Sequence, residues 1–396
     1  MENRKINSHW VKQIPSNWEE TKNRFIFIEI NEIVGAKWKE FDLLTMGKNG
    51  VRIRNFDDGG KFPESFEDYK IVKPNNLIFC LYDMDETPRT VGISINHGMI
   101  TSSYEILSVN DKNNTNFWNY FYTAIDNFKG LKPYYTGLRN VVRIDNFKNI
   151  KVYAPPLEEQ NKIVEYLDKK INLIDNLIKK LEEKKRLLKE KILLKIESIL
   201  LSQNIARVRL ENIVTLNHRP IKRENNKNYT KIGMYNWGKG IFKYPSELGS
   251  DLGDSTFNYI KEGDLLLSGQ FSWEGAVSIV EKDKNDCIAS HRFHILNGNK
   301  KELLNDYLWS YFISQEGHLI LNDNSFGSGG RNRPLNIGRL FKEKIPLPDF
   351  ETQLEFKKLV LEYKYFQKIA QKKSNLLNEY KQSIMFEYVT GERRII

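Results

Sequence analysis

Two proline-bearing segments, each leading into a long apolar-periodic stretch, divide this chain in half. The first is Ala154-Pro155-Pro156-Leu157-Glu158-Glu159-Gln160, and the second is Ile345-Pro346-Leu347-Pro348-Asp349-Phe350-Glu351-Thr352-Gln353. Aligning Gln160 with Gln353 gives an offset of 193 in a chain of 396 residues. Upstream of the alignment Ile144 meets Ile337, Phe147 meets Leu340 and Val152 meets Ile345. One gap further back, Gly137-Leu138-Arg139-Asn140 lies over Gly329-Gly330-Arg331-Asn332. With a slowly shrinking offset, Phe117-Trp118-Asn119-Tyr120-Phe121 meets Leu308-Trp309-Ser310-Tyr311-Phe312, and Tyr104–Leu107 meets Phe293–Leu296. The run Val72–Ile78 likewise meets Ile260–Leu266. The common order of these matches requires a duplicated unit of about 190 residues, so whatever the chain folds into is built twice.

Each unit follows one plan. A mixed region comes first, with short apolar runs such as Leu77–Leu81, Leu265–Leu267 and Ile288–Leu296, broken by Gly, Asn and Asp clusters that read as strands and turns. An aromatic helix around Trp118 or Trp309 interrupts it, and a long helix closes it. In the first long helix, Leu167, Ile174, Leu181, Leu188 and Lys195 form one seven-spaced series, and Ile171, Ile178, Lys185, Ile192 and Ile199 form another. Eight of these ten residues are apolar, over more than four heptads, which favours a coiled-coil seam. Pro155 and Pro156 suit the start of that helix, and Glu158 and Glu159 suit its positive end. From Glu158 to Ser202 it would span roughly 65 Å at ~1.5 Å per residue, too long to be buried in one domain. The second long helix is less regular: Leu359, Phe366 and Tyr380 form one series, interrupted by Lys373, and Tyr363, Ala370, Leu377 and Ile384 form the other. Its natural partner is the first helix. The expected boundaries are 1–155 and 205–348 for two globular domains, 156–204 for the first long helix, and 349–396 for the second with its tail.

Composition removes several classes. Hydrophobic residues make up 40% and aromatics 12%, too much core material for a disordered chain. No uncharged apolar run approaches the ~18 residues of a membrane span, and Met1–Lys12 lacks the apolar core of a secretion signal. Cys80 and Cys287 stand far apart without a CxxC partner, which argues against a disulfide framework or a cysteine zinc site and fits a reducing cytoplasm. The net charge of +10 points weakly to an anionic partner. Residues 158–204 carry 11 basic and 9 acidic groups and residues 351–396 carry 9 and 6, so the helices read as mixed-sign solvated rods.

On these residues the chain resembles the specificity (S) subunit of Type I restriction–modification enzymes. That family has helix lead-ins of the form I-P-L-P-P-L-x-E-Q, and Val152–Gln160 and Ile345–Gln353 are similar to it. So are the opening Ile14-Pro15-Ser16-Asn17-Trp18-Glu19 and the ending Thr390-Gly391-Glu392. The second lead-in departs mildly, with Asp349-Phe350 where the first has Pro156-Leu157. The resemblance covers essentially the whole chain. It implies an α+β fold: two globular target-recognition domains of mixed α/β structure, separated by two long helices forming an antiparallel coiled coil, with an internal pseudo-two-fold repeat. It also implies a non-catalytic subunit. Each domain would read one half of a bipartite double-stranded DNA target. The helical pair would set the unread spacer and dock two methyltransferase (modification) subunits. S-adenosylmethionine, ATP and Mg would serve the methyltransferase and restriction/translocase partners, and this chain would bind no cofactor. The seam residues it draws on are Leu167, Ile171, Ile174, Ile178, Leu181, Leu188, Ile192, Leu359, Phe366, Leu377 and Ile384.

Base reading needs donors on exposed loops, Arg or Lys for guanine and Asn or Gln for adenine, whereas phosphate contacts position without specifying. In the first domain the candidates are Lys48, Asn49, Arg52 and Arg54 in a compact basic loop, Arg89 beside Pro88, and Tyr135 and Arg139 in the run Lys132–Arg139. In the second they are Arg219, Lys222, Arg223, Gln270, Trp273, and Arg331, Asn332 and Arg333 in a glycine-bearing loop; Tyr235-Asn236-Trp237-Gly238-Lys239 also mixes rings with charge. A solvated or structural role competes at each position. The matching places of Arg139 and Arg331 favour a shared phosphate or structural role over sequence reading.

Other motifs give way. Pro348-Asp349 with Glu355-Phe356-Lys357 imitates the P-D…E-x-K pattern of a metal nuclease, but at a helix start residues 355 and 357 point apart. His291 and His294 are three apart on a predicted strand and so face opposite sides. No G-x-x-x-x-G-K-[ST] loop and no Asn-Pro-Pro-aromatic run occurs. The rival readings are a self-contained metal-dependent endonuclease and a coiled-coil scaffold with no nucleic-acid role.

Overall fold

The computed structural model describes residues 3–48, 50–55, 63–202, 204–327 and 333–395. Its contacts group into two compact units, Met1–Lys179 with Lys373–Ile396, and Lys180–Lys372. Each contains one head and half of each long helix.

The first head is built on a four-stranded antiparallel sheet in the order Phe27–Ile30, Glu105–Val109, Leu77–Phe79, Val91–Ile93. Leu77-Ile78-Phe79 is apolar throughout because both of its faces are covered. Leu77, Phe79, Val91 and Leu107 turn to one side, where the aromatic helix Thr115–Asn127 buries Phe117, Trp118, Phe121 and Tyr122. Ile78 and Ile106 turn to the other and pack with Leu44, Val72 and Ile100. Rings meet edge-on across the first interface, Phe27 with Trp118 at 5.8 Å and Phe79 with Tyr122 at 5.2 Å. Asn114 caps the aromatic helix, its side chain accepting from Phe117 N–H at 3.1 Å.

The second head repeats the design. Its sheet runs Val214–Asn217, Phe293–Gly298, Leu265–Ser268, Val277–Ile279, the same order of equivalent strands. Leu265, Leu267, Val277 and Leu296 pack under the aromatic helix Asn305–Phe312, and Leu266 and Ile295 pack on the far side with Ile232, Ile260 and Ala289. Two local features are unlike the sequence reading. The run Ile288–Leu296 is two strands, Ile288–Ser290 and Phe293–Gly298, broken where polar His291-Arg292 turns and His291 N–H donates to Thr256 carbonyl at 2.9 Å. A further helix, Gln315–Asp323, capped by Ser314, follows the aromatic one.

The long helices are Leu157–Leu200 and Phe350–Val389. Asp349 caps the second: its carboxylate accepts from Thr352 N–H at 2.7 Å, which holds its pKa below the usual carboxylate range. Glu355 pairs with Lys195. Asp349 and Glu355 of the nuclease-like pattern are thus spent on a cap and an ion pair.

Within each unit the helix halves run antiparallel. In the first, Tyr166 meets Tyr388 at 4.6 Å between ring centroids and Asp175 meets Lys381 at 2.6 Å. Leu167, Ile174, Ile384, Met385 and Tyr388 are buried there, and Ile171, Ile178 and Leu377 are half-buried against the same core. In the second, Ile192 and Ile196 pack with Phe356, Val360 and Tyr363, while Leu188 and Leu359 flank them. Leu181 and Phe366 are half-buried, the latter beneath the Lys184 ammonium at 4.8 Å. Tyr380, 47% exposed, lies off the seam.

The opening and ending motifs meet in the first unit. Trp18 is buried, and a side chain at Gly391, where φ is +77°, would strike Pro15 at 2.5 Å. Glu159 at the first helix start accepts from Trp18 Nε1 at 3.2 Å and Asn17 Nδ2 at 2.8 Å, with Arg394 at 3.6 Å.

Two tests follow from this packing. Phe356→Ala should cost about 3–5 kcal/mol, read by urea denaturation, because a fully buried ring leaves a cavity. Lys364 is half-buried beside Trp309, its Nζ donating to Ile279 carbonyl at 3.0 Å, and desolvation of the ammonium pushes its pKa down to about 8 although Glu281 and Asp306 stand near. The unfolded chain then holds the extra proton from about pH 8 up to its ordinary 10.5, so stability should rise with pH across that window. Lys364→Met should remove this contribution to the rise, measured as unfolding free energy across the same pH window.

Candidate nucleic-acid interface

In each head the loop after the central strand meets the segment that leads toward the helix lead-in. The two meeting points differ in chemistry. In the first head, Leu81 carbonyl accepts from Val142 N–H at 2.8 Å, which brings Asp83 and Asp85 against Lys132–Asn140. Arg139 binds Asp83 through Nε at 3.1 Å and a second nitrogen, a fork that raises the pKa of this exposed guanidinium. Lys132 stands 3.4 Å from Asp85, and Tyr135 hydroxyl donates to Asp85 at 3.5 Å. Burial, with Asp85 adding, pushes the Tyr135 phenol up to about 12. Arg89 lies in the same loop, half-buried, with Nη1 enclosed and without a partner among the described residues. Asp85 and Asp83 therefore balance Lys132 and Arg139 in this cluster.

In the second head, Gly269 carbonyl accepts from Leu335 N–H at 2.8 Å and brings Gln270 and Trp273 beside Arg333. The Arg333 guanidinium lies over the Trp273 ring at 5.1 Å. Trp273 Nε1 donates to Gln270 carbonyl at 3.1 Å, and Arg292 Nη1 reaches Gln270 Oε1 at 3.4 Å. Two cations, an aromatic face and an amide are assembled there, a set suited to stacking and to base-edge or phosphate contacts. Arg331 and Asn332 lie outside the described residues, as does Asn49.

Other sequence candidates sit elsewhere. Lys48 and Arg52 are exposed and Arg54 half-buried on the hairpin Leu44–Gly47/Gly50–Ile53, whose Val51 packs on the strand Val91–Ile93. Arg219 pairs with buried Asp264 at the opposite end of the central strand. Arg223 donates to Gly253 and Ser255 carbonyls at 2.6 and 2.7 Å and so shapes a loop, and Lys222 beside it is exposed. The Trp237 run is tied to its own head while Tyr235 and Trp237 stay exposed: Trp237 stacks on His318 at 4.9 Å, and its carbonyl accepts from Lys189 of the long helix at 2.9 Å. His294 is half-buried on its strand, and desolvation depresses its pKa; no cluster with metal-ligand composition occurs among the described residues.

Sequence reasoning missed two features. Arg292 joins the Gln270 cluster because the break in Ile288–Leu296 turns it outward; read as one strand, that run hid it. A cleft of about 730 Å³ near Arg219 is lined by Lys227, Lys243 and Lys261 with Tyr229 and Tyr259, and by Asp283 and Asp286. Lys227 lies over both tyrosine rings, at 5.6 and 6.0 Å. These residues are scattered in sequence between short strands, and no local motif unites them.

The family model described as Type I restriction modification DNA specificity domain matches residues 70–185 and 202–382. No curated protein matches the sequence significantly. A solved chain from work on complex assembly and conformational transition of the type I R-M system is similar at 13% identity and TM-score 0.61, over 96% of this chain and 99% of that one. The Type I restriction-modification system S subunit from M. genitalium is similar at 11% identity and TM-score 0.50, over 94% of this chain and 96% of that one. At these identities the likeness is one of fold.

The two clusters should answer differently to mutation. Arg333→Ala should weaken duplex DNA binding by about 1–3 kcal/mol and reduce its salt dependence, measured by fluorescence anisotropy across a salt series. Arg139→Ala should change that salt slope little, because Asp83 already neutralises the guanidinium.

Proposed function

The chain belongs to the Type I restriction–modification DNA specificity family, and from that membership we propose that its two heads each read one half of a bipartite DNA target. As a member it is a DNA sequence-specificity subunit, a non-catalytic component that binds no cofactor itself and works with DNA and complex partners. Neither the endonuclease reading nor the scaffold reading is supported.

The observation that carries the proposal is the duplication: one sheet order and one aromatic helix occur twice, each followed by a long helix. Dimeric DNA readers place two like heads on two half-sites, and here one chain supplies both. The heads differ where they would meet DNA, acid-balanced in the first and cationic in the second, so the half-sites need not be palindromic. In this reading the recognition domains are 1–155 and 205–348. The helices of 156–204 and 349–396 act as the ruler that fixes the spacer, and two methyltransferase subunits dock on them. S-adenosylmethionine, ATP and Mg belong to those subunits and to restriction/translocase partners, and the complex works in the cytoplasm. Lys48, Asn49, Arg52, Arg54, Arg89 and Tyr135 are the reading candidates of the first head. Gln270, Trp273, Arg292, Arg331, Asn332 and Arg333 are those of the second. Among the described residues no helix is long and apolar enough to cross a membrane.

Selection from a random duplex pool by the purified full chain should return two short constant blocks separated by an unread stretch of fixed length. A single continuous block would overturn the two-head reading. Inserting one heptad within Asn172–Ile192, with a compensating heptad in the facing helix, should move the preferred spacing and leave both blocks unchanged. Unchanged spacing would refute the ruler.

A further inference from the structure

One buried amide joins arm to head in both repeats. Gln160 is 1% exposed. Its Oε1 accepts from Asn114 N–H at 2.8 Å, and its Nε2 donates to Pro155 carbonyl at 2.9 Å and to Asn113 Oδ1 at 3.0 Å. Gln353, also 1% exposed, accepts from Leu304 N–H at 2.8 Å and donates to Pro348 carbonyl at 3.0 Å and Glu302 carbonyl at 2.8 Å. Three bonds recur with the same donors and acceptors on the glutamine, although the residues bonded differ in type.

The partners say what the amide does. The proline carbonyl lies five residues back in the lead-in, so one bond fixes the turn by which the chain enters the helix. The other two reach the N-terminal edge of the aromatic helix, whose rings carry the sheet. The amide thus ties the first turn of the arm to the element that supports the head. Other polar ties across this joint are not shared. Tyr120 hydroxyl donates to Asp168 of the long helix at 2.5 Å, whereas its counterpart Tyr311 donates to Glu316 within the second head. Asn114 Nδ2 reaches Asn161 in the first unit only. Apolar contacts at the joint tolerate sliding, but a slide here would strand several buried polar groups at once.

We infer that Gln160 and Gln353 are positioning residues that set the angle at which each head leaves its helical arm, and through that angle the spacer length the chain accepts. This rests on the two-head reading proposed above. Neither side chain has the exposure to touch DNA, so their effect is on geometry alone.

The test uses the purified full chain and duplexes carrying the two blocks selected by the unaltered protein, at the selected spacing and with one or two base pairs added or removed. Gln160→Leu removes all three bonds; Gln160→Glu keeps an acceptor for Asn114 N–H and removes both donations; Gln353→Leu removes all three bonds in the second head. Each variant should keep both blocks, while its preference for the selected spacing over its neighbours falls about tenfold. An equal loss of affinity at every spacing, with the preference intact, would assign the amides a merely structural role and overturn the inference. So would failure of all three variants to fold, judged by thermal unfolding. If the unaltered chain selects one continuous block, the two-head reading itself fails and this inference with it.

Discussion

Neither head closes its core without the paired long helices. In the first unit, Ile384, Met385 and Tyr388 of one helix join Leu167 and Ile174 of the other in the same cluster as Trp18, Phe117 and Trp118. In the second, Phe356, Val360 and Tyr363 join Ile192 and Ile196 beneath Tyr307 and Trp309. The aromatic helix of each head therefore packs on its sheet from one side and on the helix pair from the other. This shared apolar seam makes the arm part of the domain, and polar locks such as the buried glutamines have a fixed surface to act on. Ion pairs at the seam margin, Asp175 with Lys381 and Lys195 with Glu355, are exposed enough to add register more than stability.

Built on the same frame, the heads diverge in charge. Where Asp83 and Asp85 engage Arg139, Lys132 and Tyr135 in the first, the equivalent loop of the second offers Gln270 and Trp273 to Arg292 and Arg333. A neutralised cluster holds its side chains in place and contributes little long-range attraction. An unbalanced one draws phosphate from a distance and loses strength with salt. In the proposed reading the duplication supplies common geometry, and loop substitution would supply individual recognition.

The large-scale plan was legible in the sequence because it rests on periodic and repeated signals. Proline lead-ins, seven-spaced apolar residues and the aligned aromatic runs located both long helices and both aromatic helices. Leu77-Ile78-Phe79 and Leu265–Leu267 read as strands since burial on two faces leaves an unbroken apolar run. The seam itself was only partly legible: Ile196, Phe356 and Val360 bury more completely than Leu359 or Phe366, because helix rotation against the head, and not heptad spacing alone, decides which side chains are covered. Loop residues were least legible. Arg219 looks like Arg333 in composition, yet one is held by buried Asp264 and the other lies over an indole, and only tertiary contacts between distant segments separate them.

Each compact unit is assembled differently along the chain. Lys180–Lys372 is one continuous stretch, whereas the other unit combines Met1–Lys179 with residues after Lys373. During vectorial synthesis the second head can complete its core as soon as its own helix has emerged. The first, although made earlier, must wait with Phe117, Trp118 and Leu167 incompletely covered until Ile384 and Tyr388 arrive. The head nearest the N-terminus is then the last to fold, and the slow, long-range closure of that unit makes it the part of the protein most dependent on protection while the chain is being made.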